Sequence, residues 1–205
     1  MLDPLLRRLI DPPLGRVGAW LARRGLTANQ ATTGGLVLGL TAVPLLAAGF
    51  YGTALIVVLL NRLLDGIDGA IARQGQVTPF GGYLDIVCDI VFYAAVPLGF
   101  ALAASGNAVW ATLLLASFMC TGASFLGRAI MAAQRQENDD GARGRKSFFH
   151  SAGLVEGTET VVAFVLFCIF PSSFPWLAGI LALLCFWTAA QRVIDAYRIQ
   201  GSPRP

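Results

Sequence analysis

Four aspartates, Asp65, Asp68, Asp85 and Asp89, are the residues of this chain best placed to do chemistry. All four lie in or at the edge of strongly apolar segments, where an ionisable side chain is costly and by default marks a functional site. Asp65 and Asp68 are three residues apart and Asp85 and Asp89 are four apart, so each pair shares one helical face. The short connection from Gln74 to Phe80 predicts two antiparallel helices whose acidic pairs converge. Carboxylates at close range repel one another unless cations neutralise them, and all-oxygen ligation selects a hard ion: Mg²⁺, Mn²⁺ or Ca²⁺. The set exceeds what a single Mg²⁺ usually takes from protein, so a pair of divalent cations bridged by shared carboxylates is expected. Such a pair suits in-line displacement at phosphorus, because it stabilises both the attacking and the leaving oxygens.

The residues around the acids fit the same chemistry. Gly66 and Gly69 each cost a helix about 1 kcal/mol relative to Ala, which makes sense where a ligand or a neighbouring helix approaches the backbone closely. Arg73 follows Gly69 by four residues and points over the same face, where its planar guanidinium can pair with a diphosphate. Taken singly, the glycines would also serve helix packing and Arg73 would be a solvated helix end. Asn61 and Arg62, one turn before Asp65, reach either a nucleotide or a neighbouring helix.

The elements that must hold these residues are membrane helices. Of 205 residues, 56% are hydrophobic and 13% charged, with a mean hydropathy of +0.65, far too apolar for a soluble domain of this size. Six segments, near 29–49, 52–74, 80–103, 107–134, 150–170 and 174–197, have the roughly 20 residues needed to span a bilayer. The joints near 50–52, 104–106 and 171–174 carry no charge. Every Lys and Arg falls in the N-terminal region, near 62–73, in 128–146 or after 191. By the positive-inside rule, both termini and the acids then face the cytoplasm. Residues 1–26 carry Arg7, Arg8, Arg16, Arg23 and Arg24 without a long apolar stretch, so no cleavable signal is read there. Pro12 and Pro13 interrupt this region and suit a helix start. Beyond them, Leu14, Val17 and Leu21 share a face roughly opposite Arg16 and Arg23, which predicts an amphipathic helix on the membrane surface.

The expected fold is therefore an all-α membrane protein of one domain over 1–205: an N-terminal amphipathic surface helix, then six transmembrane helices over 29–197. Residues 135–147 form its one long polar loop. Cys88, Cys120, Cys168 and Cys185 lie in apolar runs with no CxxC spacing and read as reduced core thiols. His150 is the sole histidine, which argues against His-based catalysis and against a multi-His zinc site. Trp20, Phe50, Tyr51, Trp110, Trp176 and Tyr197 read as interfacial anchors. No nucleic-acid partner is expected.

The stretch DGIDGAIARQGQVTPFGGYLDIVCD resembles the signature of the CDP-alcohol phosphotransferases. Asp65, Asp68-Gly69 and Ala72-Arg73 match in order, and Gly81, Asp85 and Asp89 follow with the family's spacing. One departure is a loop of seven residues between Arg73 and Gly81 where the family has about eight. The six spans, the amphipathic start and GLTANQAT leading into the first span also fit, and the chain looks closest to small bacterial inner-membrane members. The resemblance implies roles. Asp65, Asp68 and Asp85 would be ligands to two divalent cations, Mg²⁺ or Mn²⁺. Asp89 would be both a ligand and the catalytic base that takes the proton of the acceptor hydroxyl as it attacks the β-phosphorus and CMP leaves. Gly69 and Arg73, beside Asp65 and Asp68, would bind the CDP part of the donor.

The resemblance further implies CDP-diacylglycerol or another CDP-alcohol as donor, a polar alcohol as acceptor, and a homodimer. In family members that use phosphorylated polyols, a basic pocket near the metals binds the acceptor phosphate. Its candidates here are Arg128, inside the fourth span, Arg192 in AAQRVIDAYR, and Lys146 in GRKSFFH. Lys146 and Arg192 equally suit topology signals at the cytoplasmic interface. Such a pocket favours glycerol 3-phosphate, then inositol phosphate, over a non-phosphorylated acceptor such as serine. Glu156 and Glu159, in GLVEGTET, either orient that pocket or cap a helix start. A divalent-cation transporter would also carry intramembrane acids, but it predicts them spread along a path through the bilayer. Here they gather near one face.

Overall fold

Capping residues and prolines decide where the apolar runs become separate helices. In the computed structural model, which describes residues 3–75, 77–134 and 154–200, eight α-helices form. They are α1 (Asp3–Arg23), α2 (Ala28–Leu40), α3 (Ala42–Ala47), α4 (Tyr51–Ala72), α5 (Pro79–Ala103), α6 (Ala108–Gln134), α7 (Gly157–Ile169) and α8 (Phe174–Gln200). Short 3₁₀ turns at Ser105–Asn107 and Pro171–Ser173 lead into α6 and α8, and no strand occurs among the described residues.

The starts of the helices that carry or flank the acids are set locally. Thr27 caps α2 reciprocally with Gln30: Gln30 N–H donates to Thr27 Oγ1 at 3.3 Å and Thr27 N–H to Gln30 Oε1 at 3.0 Å. Thr78 Oγ1 accepts from Gly81 N–H at 3.0 Å, and Pro79, with no N–H to orphan, opens α5. Pro44 cannot donate to the carbonyl of Leu40, and the apolar run 28–47 accordingly breaks at Thr41 into α2 and α3.

The helix α1 runs through Pro12 and Pro13, which the sequence reading took as an interruption. Two intrahelical hydrogen bonds are lost there, but the ring's fixed φ is itself helical. One face of α1 is buried against the protein. Leu14 and Gly18 are buried and Leu21 partly so, whereas Val17 is 43% exposed. The cause is the docking of α1 on α4. A Cβ on Gly18 would lie 2.7 Å from Ala70 Cβ, and one on Gly66 would lie 2.7 Å from Leu14 Cδ1. Close approach, rather than a continuous apolar stripe, seats this helix.

Among the described residues, four segments are long and apolar enough to cross a membrane: 28–47, 79–103, 105–134 and 171–198. Two of the six expected spans behave differently. The helix α4 has 22 residues but carries Arg62, Asp65 and Asp68, so its polarity is that of the site it holds. The helix α7 has 13 residues, about 20 Å at 1.5 Å per residue, short of the roughly 30 Å of hydrocarbon.

The helix α2 packs on both α4 and α5, α3 on α4 and α5, α6 along α8 and beside α5, and α7 against α4 and α8. Their shared core is aromatic. Phe92, Phe100, Phe164, Phe167 and Phe174 are fully buried, and the rings of Phe100 and Phe174 stack at 4.4 Å. Cys88, Cys168 and Cys185 are buried free thiols as expected, while Cys120 is exposed on α6. Among the aromatic anchors, Trp20, Phe50, Trp176 and Tyr197 are exposed, but Tyr51 is partly buried and stacks on Phe100.

Candidate active site

The acidic pairs converge. Asp65, Asp68 and Asp85 each present a carboxylate oxygen within 4.8 Å of the others. The turn between Ala72 and Pro79 brings α5 back toward α4, so that position 65 meets 85 and position 62 meets 89. Oxygen-only donors at this separation fit a hard divalent cation, which would offset two of the three clustered charges.

Asp89 adjoins this cluster through Arg62. Its Oδ1 accepts from Arg62 Nη1 at 2.8 Å, and the same Nη1 lies 3.7 Å from Asp65 Oδ2. Asn61 and Arg62 therefore bridge helices, the second of the two roles open to them in the sequence. Asn61 Nδ2 donates to the Gly35 carbonyl at 2.8 Å, tying α4 to α2.

Thr32 was missed in the sequence. From α2 its Oγ1 donates to the buried Asp68 Oδ2 at 2.5 Å and sets that carboxylate's orientation. A signal for it existed within GLTANQAT and beyond. Ala31, Thr32, Gly35 and Gly39 are the buried residues of α2, a stripe of small residues that marks the close-packed face. A hydroxyl on such a face must meet a neighbouring helix.

Both glycines of DGIDG line the main cavity, and Gly66 also packs against α1. Gly66 accepts Leu14 of α1, whereas a Cβ on Gly69 would lie 3.3 Å from Arg73 Nη1. Gly69 and Arg73 thus share one wall of a cavity of about 910 Å³ that also exposes Asp65, Asp68, Asp85 and Asp89, a volume suited to a ligand site (about 300–1,000 Å³).

Across the cavity lie Arg192 of α8 and Glu156. Arg192 is buried; its Nη1 donates to the Thr121 carbonyl at 3.2 Å, and its guanidinium lies 5.7 Å from the Phe125 ring centre. Glu156 is buried at the start of α7 and acts electrostatically on Arg192. Glu159 closes that helix start, its Oε2 accepting from Glu156 N–H at 3.1 Å. Arg128 is buried in α6 but does not line the cavity. Lys146 and the whole of the polar loop 135–147 lie outside the described residues.

This fold, with its carboxylate cluster on a cavity that Arg73 also lines, has known counterparts. Residues 25–193 match the family model for CDP-alcohol phosphatidyltransferases, and the chain belongs to that family. It is accordingly a phosphotransferase enzyme, not a cation transporter. It is 47% identical over 198 residues to the inner membrane protein YnjF of Escherichia coli (strain K12), covering 96% of each chain. It is 37% identical over 98 residues to the archaetidylinositol phosphate synthase of Pyrococcus horikoshii, covering 47% of this chain and 52% of that one. The crystal structure of Mycobacterium tuberculosis phosphatidylinositol phosphate synthase (PgsA1) with CDP-DAG bound shares the fold, with a TM-score of 0.72 at 22% identity, covering 90% of this chain and 93% of that chain.

Proposed function

We propose that this enzyme transfers the phosphatidyl group of CDP-diacylglycerol to a hydroxyl of a polar acceptor and releases CMP. The observation that carries the reading is the convergence of Asp65, Asp68 and Asp85 on a cavity that Arg73 lines. Two divalent cations, Mg²⁺ or Mn²⁺, held by these three acids with Asp89, would neutralise the diphosphate and the charge that develops on leaving CMP. The remaining roles belong to side chains. Arg73, with Gly69 beneath it, clamps the diphosphate. Thr32 keeps Asp68 turned toward the cluster. Asp89 takes the proton of the acceptor hydroxyl, whose oxygen bonds the β-phosphorus as the bond from that phosphorus to CMP breaks.

For the acceptor we propose a phosphorylated polyol held by Arg192. Glycerol 3-phosphate was the first expectation. The archaetidylinositol phosphate synthases and the phosphatidylinositol phosphate synthase among the similar proteins move inositol phosphate ahead of it. Arg128 becomes the weaker candidate, because it does not line the cavity. A non-phosphorylated alcohol is the second reading, favoured by the Glu156 carboxylate on the same cavity wall. We further propose a homodimer of six-span protomers in the bacterial inner membrane, with both termini and the site cytoplasmic. In it α7 completes its crossing with flanking residues, and the exposed Val17 and Trp20 seat α1 in the headgroup layer.

The test is CMP release by purified protein given CDP-diacylglycerol, Mg²⁺ or Mn²⁺, and a panel of polar acceptors, with Asp89→Asn as control. Acceptor-dependent release that the substitution lowers by at least about a hundredfold, within the usual range for a positioned base, supports the reading and names the acceptor. Release that survives the substitution removes Asp89 as base. Absence of release with every acceptor and metal overturns the donor assignment.

A further inference from the structure

Arg62 is a cation built into the acidic cluster. Its side chain is 14% exposed. Nε and Nη2 both donate to Asn61 Oδ1, at 2.8 and 2.6 Å, and Asn61 is itself fixed to the Gly35 carbonyl. Nη1 reaches the Tyr93 hydroxyl at 3.3 Å, and the guanidinium lies over the rings of Phe92 and Tyr93, at 4.5 and 5.1 Å from their centres. Anchors on α2, α4 and α5 therefore fix this fork in one orientation, with Nη1 on Asp89 at 2.8 Å. Beside it a recess of about 10 Å³ is bounded by Thr32, Arg62, Asp65, Asp68 and Asp89, room for about one water-sized sphere.

We propose that Arg62 is a positioning residue that holds Asp89 on its guanidinium, so that the site binds one divalent ion tightly and a second only after Asp89 leaves that contact. The inference rests on the reading that the three clustered acids hold a divalent ion. Its physical basis is competition. A guanidinium in direct contact with a carboxylate oxygen contends with any metal for the same lone pairs, and two cations on one carboxylate edge repel each other. The fork geometry matters as much as the charge. Lysine carries the same charge on a point donor and cannot hold Asn61 and Asp89 together.

The experiment is titration of the purified, detergent-solubilised protein with Mn²⁺ alone, following free Mn²⁺ by electron paramagnetic resonance. The wild type is expected to show one tight site and one at least about tenfold weaker, an affinity gap of about 1.4 kcal/mol. In Arg62→Lys the tight site stays within a factor of about two, because the charge is kept, while the second tightens at least about fivefold, because Asp89 is released. Arg62→Gln tightens both sites, the second more than the first. Asn61→Ala, which removes two anchors of the fork without touching an acid, moves the second site in the same direction and guards against misfolding of the Arg62 variants. Two Mn²⁺ sites of equal affinity in the wild type, or a lysine variant that titrates like wild type, would overturn the proposal. Absence of any Mn²⁺ binding by the wild type would instead overturn the metal reading beneath it.

Discussion

Replacing Thr32 with valine tests whether the site depends on the orientation of Asp68. The side chains have nearly the same shape, so the change removes a hydroxyl and little else. That hydroxyl lies 2.5 Å from Asp68 Oδ2 and 3.0 Å from the Ala28 carbonyl. It carries one proton, and the shorter contact to the charged acceptor takes it. A hydrogen bond to a charged group contributes about 1.5–3 kcal/mol, which at about 1.4 kcal/mol per decade is roughly a ten- to hundredfold effect. Asp68 is 5% exposed, so water replaces the lost donor poorly. Thr32→Val is therefore expected to weaken Mn²⁺ binding and lower CMP release by about ten- to a hundredfold. Thr32→Ser, which keeps the donor, should stay near wild type. A valine variant with unaltered Mn²⁺ affinity and CMP release, or a serine variant as impaired as the valine one, would refute the reasoning.

Other consequences follow from the same geometry. Arg192→Gln should raise the acceptor KM at least about tenfold while leaving the donor KM unchanged, since a charged hydrogen bond is worth about 1.5–3 kcal/mol; an unchanged acceptor KM would move the acceptor pocket elsewhere. Gly18→Ala drives a Cβ to within 2.9 Å of the Ala70 carbonyl carbon, backbone that cannot step aside, and should cost about 1–3 kcal/mol by thermal melting in detergent. Gly66→Ala meets the flexible tip of Leu14 and should cost less than Gly18→Ala; the reverse order would show that α1 is not seated on α4 as described. Phe100→Ala opens the stacked aromatic core and should cost about 3–5 kcal/mol by the same measurement. Removing divalent ions with a chelator should abolish CMP release, and adding back Mg²⁺ or Mn²⁺ should restore it.

Much of the site was legible because its logic is local. Spacings of three and four residues put Asp65 beside Asp68 and Asp85 beside Asp89 whatever the helices do next. Thr27 with Gln30, and Thr78 with Pro79, start α2 and α5 through contacts within one turn. The features that spacing leaves open arise where a second helix intervenes. Val17 follows the apolar pattern of α1, yet α4 approaches Gly18 instead and leaves Val17 outside. Arg128 has the charge expected of an acceptor pocket, but it does not line the cavity, and Arg192 does.

By itself the sequence determined a helical chain rich enough in apolar residues to build membrane spans, the two acidic pairs, and the family signature that holds them. Each of those follows from composition or from contacts within a helical turn. Only the tertiary structure decided that Asp68 is held by Thr32, 36 residues away, and that Asp89 is held by Arg62, 27 residues away. It also gave Gly66, which borders the cavity as Gly69 does, a second contact with Leu14 of α1. The physical reason is that helix periodicity fixes which residues share a face, while the partner of that face is chosen by packing between helices distant in the chain.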